Sequence, residues 1–209
     1  MIASAFGMVV TAGAITIFLA IANSNRDVLN AIKLNQELRG AMSFMVRDLR
    51  RAGSWNYANA AAAALAKGDP PPLTSSNPFN QAGQITGTPA CDPVADDCTY
   101  TCIEFTYDLS GDGAHNGNSE LFGIGLKDNA IKTKVADKTC PDMDGWQGIT
   151  DDSVVNITNF QIIDLFPASY DGTQIRLLEI RLTGELVKDS SVKRDLVEFV
   201  RIRNDFLEP

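Results

Sequence analysis

The sequence has little of what enzyme active sites and nucleic-acid surfaces need. It contains a single histidine, His115, and no G-x-x-x-x-G-K-[ST] motif for phosphate binding. The paired carboxylates Asp96/Asp97 and Asp151/Asp152 stand in turn-like segments, where a solvated surface explains them. Acidic residues outnumber lysine and arginine by 26 to 18, a formal net charge of −8, whereas phosphate binding needs a basic surface. We therefore expect neither catalysis nor a nucleic-acid partner.

The cysteines form no zinc or haem motif. C-x-x-C and C-x-x-C-H are both absent, and the four cysteines are Cys91, Cys98, Cys102 and Cys140. An even number after an apolar segment favours two disulfides in an oxidising compartment. Four cysteines allow three pairings; we favour Cys91–Cys98, which closes a local loop, with Cys102–Cys140.

Charge is also missing from the first segment. No charged side chain occurs from Met1 to Ala22, and the first is Arg26. Such a run is long enough to cross a bilayer, since roughly 20 apolar residues cover about 30 Å of hydrocarbon. A cleaved signal peptide is the alternative, but the positively charged start that such peptides carry is absent. We expect a transmembrane segment.

The apolar segment continues into an amphipathic helix without a breaker. Apolar residues at helical spacing predict a buried stripe, formed by Leu34, Leu38, Ala41, Met42, Met45, Leu49 and Ala52. Gly53 is suited to end the helix. Residues 1–53 are therefore predicted to form one helix, transmembrane first and amphipathic after.

Residues 54–100 have the composition of a connecting loop. Ala58–Ala66 predicts a short helix, which Pro70–Pro72 would end. The rest of this segment is rich in Ser, Asn, Gly and Pro, so we expect a long surface loop.

Residues 101–209 carry strand patterns. The predicted strands are Cys102–Tyr107, Leu121–Leu126, Ala130–Val135, Val154–Phe166 with an irregularity near Asn159, Ile175–Leu182 and Leu196–Arg203. Lys127–Asn129 and Lys188–Ser191 are the predicted turns. One helix followed by strands indicates the α+β class, with an antiparallel β-sheet head whose one face is covered by Leu38–Leu49.

Several segments resemble type IV pilins. The start, MIASAFGMVV, resembles the residues that come directly after the processing motif of prepilins. The likeness to minor pilins of the PilW group is carried by Leu34–Arg39, Met45–Gly53, Tyr107–Gly113, Gly145–Gln147 and Val200–Asn204.

The resemblance implies a pilin-like fold and a structural role. It implies a precursor in the inner membrane that the pilus assembly machinery polymerises with other pilin subunits into an extracellular or periplasmic filament. The assembly helix would contribute Ile2, Phe6, Val9, Val10, Ile15, Phe18 and Leu19. A type II secretion pseudopilin and a membrane-anchored adhesin are the alternatives.

The chain departs from the pilin pattern at its start. The processing motif is missing, and so is the glutamate that pilins place near the mature N-terminus. We expect further residues upstream of Met1.

One acidic loop resembles the beginning of a calcium site. Oxygen-bearing side chains occur at Asp108, Ser110, Asp112, Asn116 and Glu120, in the pattern D-x-[DNS]-x-[DN]-G. In an EF-hand the last acid would fall at position 119, so Glu120 is one residue late. Calcium is the one cofactor suggested, and a polar hairpin loop without metal is the alternative.

Overall fold

The computed structural model describes residues 2–72, 77–79, 86–88, 98–134, 138–140, 142–165, 173–174, 177–202 and 206–207. The side chains of residues 2–6, 9, 173–174 and 206–207 lie outside this description. Within these ranges the chain forms two α-helices and eleven β-strands, numbered in chain order.

Helix α1 spans Ile2–Leu49 without interruption. Its 48 residues, at 1.5 Å each, make it about 72 Å long. The sequence predicted a helix over residues 1–53. Instead, the amide of Ala52 donates to the carbonyl of Leu49 at 3.1 Å, a three-residue bond that tightens the turn after the helix. Gly53 then adopts φ 74° and donates its amide to Thr106 at 2.8 Å, which fastens the helix end to the head.

The predicted transmembrane segment over Met1–Ala22 is not found. Over the part of the chain that the structure describes, no helix combines the length and the apolar character that crossing a bilayer requires. Polar and charged residues follow directly at Asn23–Asp27, and the side chains of residues 1–6 and 9 lie outside the described residues. The prediction of a transmembrane segment is therefore corrected: residues 2–22 are the first part of the long helix α1.

Helix α2 spans Tyr57–Lys67, close to the predicted Ala58–Ala66. The side chain of Asn56 caps its first turn by accepting from the amide of Asn59 at 3.3 Å. Gly68, in the left-handed conformation with φ 82°, ends it.

The strands form three antiparallel sheets. The five-stranded sheet has the order β1-β3-β4-β5-β6, with β1 Thr86–Thr88, β3 Cys102–Thr106, β4 Leu121–Lys127, β5 Ala130–Thr133 and β6 Gln147–Gly148. The four-stranded sheet has the order β10-β9-β7-β2, with β2 Cys98–Tyr100, β7 Val155–Asp164, β9 Leu177–Leu186 and β10 Asp189–Arg201. The two-stranded sheet pairs β8 Thr173–Gln174 with β11 Phe206–Leu207.

The second half of α1 packs against β9 and β10, as the apolar stripe predicted. Leu34, Leu38, Met45 and Leu49 are fully buried and share one core with both larger sheets. Gly184 on β9 permits this contact, because a Cβ there would lie only 2.9 Å from the Cδ2 of Leu38. A long helix on antiparallel sheets is therefore confirmed, and the α+β class with it.

Strand bounds differ from prediction mainly in the last hairpin. The pairing of β7 with β9 shifts between Ile157 and Asn159, where the sequence indicated an irregularity. The turn after β9 is Val187–Lys188, and β10 already begins at Asp189, inside the predicted turn Lys188–Ser191. Polar residues of early β10 are accepted in the strand because they lie at the exposed sheet edge.

The Cys102–Cys140 disulfide joins β3 to the segment before β6, with its Cα atoms 5.9 Å apart. Trp146 and Met143 pack beside it in a small second core. Cys98 is also disulfide-bonded, and its predicted partner Cys91 lies outside the described residues.

Candidate functional site

The predicted calcium residues lie together in the loop between β3 and β4. Carboxylate oxygens of Asp108, Asp112 and Glu120 all lie within 4.8 Å of one another. Gly113 allows the loop to fold this way: its φ is 80°, and a Cβ would lie 2.5 Å from the amide nitrogen of Ala60. The loop is therefore pressed against α2.

Glu120 holds the two ends of this loop together. Its side chain is buried, with 1% of the residue exposed. One carboxylate oxygen accepts from the amides of Leu109 at 3.1 Å and Ser110 at 3.3 Å, and the other accepts from the amide of Asn116 at 2.7 Å. Backbone donors thus compensate the burial of this carboxylate.

Asp108 fastens the loop to the segment between the helices. Its Oδ1 accepts from the amide of Gly111 at 2.5 Å, and its Oδ2 accepts from the amides of Gly113 at 3.0 Å and Asn56 at 3.1 Å. Trp55 donates its indole N–H to the carbonyl of Gly113 at 2.7 Å. Asn56 also donates to the carbonyl of Gly111 at 3.0 Å.

Asp112 is the exposed member of the group. Its Oδ1 accepts from the amide of Ala114 at 2.8 Å, and its Oδ2 accepts from the side-chain amide of Asn116 at 2.9 Å. Two hydrogen bonds lower the pKa of Asp112 below its usual 3.8. The bond from Asn116 has the largest effect, and the bond from Ala114 has the next largest. The carboxylate is therefore ionised at neutral pH.

The acidic loop can offer hard oxygen ligands to a cation, and calcium prefers such ligands. Ser110 completes the predicted set, since its hydroxyl lies 3.2 Å from Glu120 Oε1. Within the described residues, no ion pair neutralises Asp108, Asp112 or Glu120. The hydrogen bonds also give the loop a purely structural explanation, and calcium binding stays a prediction.

The second candidate site is the exposed part of α1, residues 7–32, which we call the stem. Of the predicted assembly residues, Val10, Ile15, Phe18 and Leu19 are exposed, Phe18 by 70% and Ile15 by 59%. The side chains of Ile2, Phe6 and Val9 lie outside the described residues. Contiguous apolar surface of this kind marks a surface that contacts something else.

Sequence reasoning missed two parts of these sites. Apolar exposure on the stem extends past Asn23–Asp27 to Val28, Leu29 and Ile32. Val28, Leu29 and Ile32 follow Ile21 by 7, 8 and 11 positions, and this helical spacing was the available signal.

The contact between α2 and the acidic loop was also missed. Asn56 and Asn59 both donate side-chain amides to the carbonyl of Gly111. Asn56 before an alanine-rich helix did signal a helix cap, but not its second role.

A protein-family model matches most of the chain. The family model of PpdB, prepilin peptidase-dependent protein B, matches residues 27–202, which include the second half of α1 and the acidic loop. No curated protein and no solved structure matches the chain.

Proposed function

The chain belongs to the family of prepilin peptidase-dependent protein B, and from this membership we propose that it is a structural subunit of a type IV pilus-like filament. The family indicates a pilin-related protein with a role connected to a pilus or pseudopilus. The finer proposal is a minor pilin like those of the PilW group, which assembles through its N-terminal helix and does not act as a catalyst.

The exposed stem is the observation that carries this proposal. Its large apolar side chains before the polar segment are more than half exposed: Met8, Val10, Ile15, Ile17, Phe18, Leu19 and Ile21. Burying one such side chain fully contributes about 1.5–3 kcal/mol, so the set contributes on the order of 10 kcal/mol. Association itself costs about 4–15 kcal/mol. A stem therefore needs several neighbouring helices, as a filament core offers.

Partners and location follow from the same proposal. The partners are other pilin subunits and the pilus assembly machinery. The unassembled precursor would reside in the inner membrane, and the assembled subunit in an extracellular or periplasmic filament. The Cys102–Cys140 disulfide supports an oxidising compartment for the head.

The test is to place a charge in the stem. Ile15→Asp and Phe18→Asp should each lower the amount of this chain in sheared filaments at least tenfold, because a buried unpaired carboxylate is costly. The matched control is Val187→Asp, since Val187 is 52% exposed but lies in the turn between β9 and β10. Quantitative immunoblots of sheared and whole-cell fractions give the ratio, and protease resistance of the head shows that it still folds.

Filament content unchanged in both stem variants would refute the proposal. So would an equal loss in the Val187 control, because the effect would then not be specific to the stem.

A type II secretion pseudopilin is the second candidate, since the exposed stem would serve a short periplasmic filament equally well. In-cell crosslinking separates the two. Recovery of secretion-system proteins alone, with no sheared filament containing the chain, would favour the pseudopilin.

A further inference from the structure

The acidic loop contains the one Asn-Gly pair of the chain, Asn116-Gly117. Asparagine is chemically labile, because the backbone nitrogen of the next residue can attack its side-chain carbonyl carbon. A glycine in that next position leaves the nitrogen unhindered, since it has no Cβ. Both residues are exposed, and a Cβ at Gly117 would meet nothing within 4 Å. The pair therefore has the water and the space that this ring closure needs.

The backbone nitrogen of Gly117 is available for the attack. Gly117 begins the 3₁₀ turn Gly117–Glu120, so its N–H has no acceptor inside that turn. Elsewhere in the described part of the chain this amide also has no hydrogen-bond acceptor. Ring closure therefore does not first have to break a bond that the attacking nitrogen makes.

Ser119 polarises the peptide bond between the two residues. Its hydroxyl donates to the backbone carbonyl oxygen of Asn116 at 3.0 Å. That carbonyl is conjugated with the Gly117 nitrogen, so a hydrogen bond to its oxygen withdraws electrons from the N–H and makes its proton easier to remove. The loop thus places a donor at an atom where it favours ring closure.

One contact opposes the reaction and also shows what the reaction changes. The side-chain amide of Asn116 donates to Asp112 Oδ2 at 2.9 Å, and this bond must break before the amide can turn towards Gly117. Both side chains are exposed, so water can replace the bond at little net cost. Once the amide has become a carboxylate, the donor is lost and two negative charges face each other.

We infer that Asn116 is a site of spontaneous deamidation. The Gly117 nitrogen forms a bond to Cγ of Asn116, and the bond from Cγ to Nδ2 breaks. The proton of the Gly117 nitrogen passes through water to Nδ2, which leaves as ammonia. Water then opens the resulting succinimide ring, either at Cγ to give an aspartate at position 116 or at the backbone carbonyl to give an isoaspartate. Water is the only co-reactant.

The product changes how the acidic loop is held together. The loop gains one negative charge, and the hydrogen bond between positions 112 and 116 becomes a repulsion. Because the change is covalent and needs no enzyme, the modified fraction increases with the age of the protein. The deamidation site does not depend on whether the chain assembles into filaments.

Peptide mass spectrometry of the full chain, incubated in detergent micelles at mildly alkaline pH, tests the site. Asn59 is the internal control: it is exposed, but the following amide, that of Ala60, donates to the carbonyl of Asn56 at 3.2 Å. Asn116 should deamidate at least about tenfold faster than Asn59, because its neighbour has neither a Cβ nor a bonded amide. Equal rates would overturn the proposal, and so would a product that contains aspartate without isoaspartate.

Two variants test the local geometry. Gly117→Ala should slow the reaction about tenfold, because the added Cβ hinders the attacking nitrogen. Ser119→Ala, a milder change at an exposed position, should slow it about two- to threefold by removing the donor to the Asn116 carbonyl. Ser153→Ala is the matched control, since Ser153 bonds to Asp151 in another loop and should leave the rate unchanged. A wild-type rate in both loop variants would overturn the proposed chemistry.

The effect on the loop is tested with Asn116→Asp, which carries the charge of the product. Its urea midpoint should fall below that of Asn118→Asp, which adds the same charge two positions away. Combining Asn116→Asp with Asp112→Asn should recover the midpoint, because a carboxylate again faces an amide. Equal midpoints in the two single variants, or no recovery in the double variant, would overturn the repulsion while leaving the deamidation rates to decide the site itself.

Discussion

The contact between Leu38 on α1 and Gly184 on β9 decides how the helix sits on the sheet, and a double-mutant cycle can test it. A Cβ at Gly184 would lie 2.9 Å from Leu38 Cδ2, 3.2 Å from Val155 Cγ1 and 3.4 Å from Ile157 Cδ1. Gly184→Ala therefore adds a methyl group where no space is left, and the fully buried Leu38 must shift.

The expected magnitudes follow from packing. Gly184→Ala should lower the free energy of unfolding by about 1–3 kcal/mol, the usual cost of overpacking. Leu38→Ala should lower it by about 2–5 kcal/mol, because it leaves a cavity. In the double variant the added methyl occupies part of that cavity. The combined loss should therefore be smaller than the sum by about 1 kcal/mol.

Urea unfolding of the full chain in detergent micelles, followed by the fluorescence of Trp55 and Trp146 in the head, gives these free energies. Gly40→Ala is the matched control, because a Cβ at Gly40 meets nothing within 4 Å. Replacing glycine in an exposed part of a helix should raise stability by about 0.5–1 kcal/mol. Strictly additive losses, or a Gly184→Ala variant as stable as Gly40→Ala, would contradict the described packing.

Three further predictions concern pH, the disulfide and calcium. Burial raises the pKa of Asp48 above 3.8, so the contribution of Asp48 to stability should be lost as the pH rises through that raised value, and Asp48→Asn should become more stable relative to the wild type. The pKa of Asp112 is lowered, chiefly by its side-chain amide hydrogen bond. The stability deficit of Asp112→Asn should therefore be full above pH 3.8 and vanish as the pH falls through the lowered value. Urea titrations from pH 3 to 7 measure both, and parallel curves would contradict them. Replacing Cys102 and Cys140 by alanine should lower the free energy of unfolding by about 2–4 kcal/mol, since the bond joins residues 38 positions apart; a loss under about 1 kcal/mol would count against it. Calcium at a hundred times its Kd should stabilise the wild type by about 2.7 kcal/mol in thermal unfolding, with magnesium and the Asp112→Asn variant as controls; no shift with calcium would refute the metal site.

Local periodicity made the larger elements predictable. The stripe from Leu34 to Leu49 is a helical repeat, alternation identified β3, and the hairpin signal at Lys127–Asn129 identified β4. Asp128 and Asn129, with φ of 53° and 58°, form the turn that their residue types predicted.

Partner choice between strands was not predictable from those patterns. The three residues of β2 are too few to show alternation, and β2 joins the four-stranded sheet only by pairing with β7, more than fifty positions later. A division into separate sheets depends on such distant pairs, which a single sequence does not specify.

In the acidic loop, the sequence pattern predicted which residues come together but not the contacts that they make. Alternating oxygen side chains identified the set, but EF-hand spacing left Glu120 one position late. A 3₁₀ turn over Gly117–Glu120 brings the Glu120 carboxylate back to the amides of Leu109 and Ser110. The contribution of Asn56 depends on where α2 lies, and only the tertiary structure fixes that.

The continuity of α1 has a mechanical consequence. One rigid rod of about 72 Å runs from the stem into the head, without a hinge residue such as proline. Tension applied along the stem is therefore delivered parallel to the helix axis, so that Leu34, Leu38, Met45 and Leu49 resist it together in shear rather than peeling away one at a time. A flexible joint below the head would lose this simultaneous resistance.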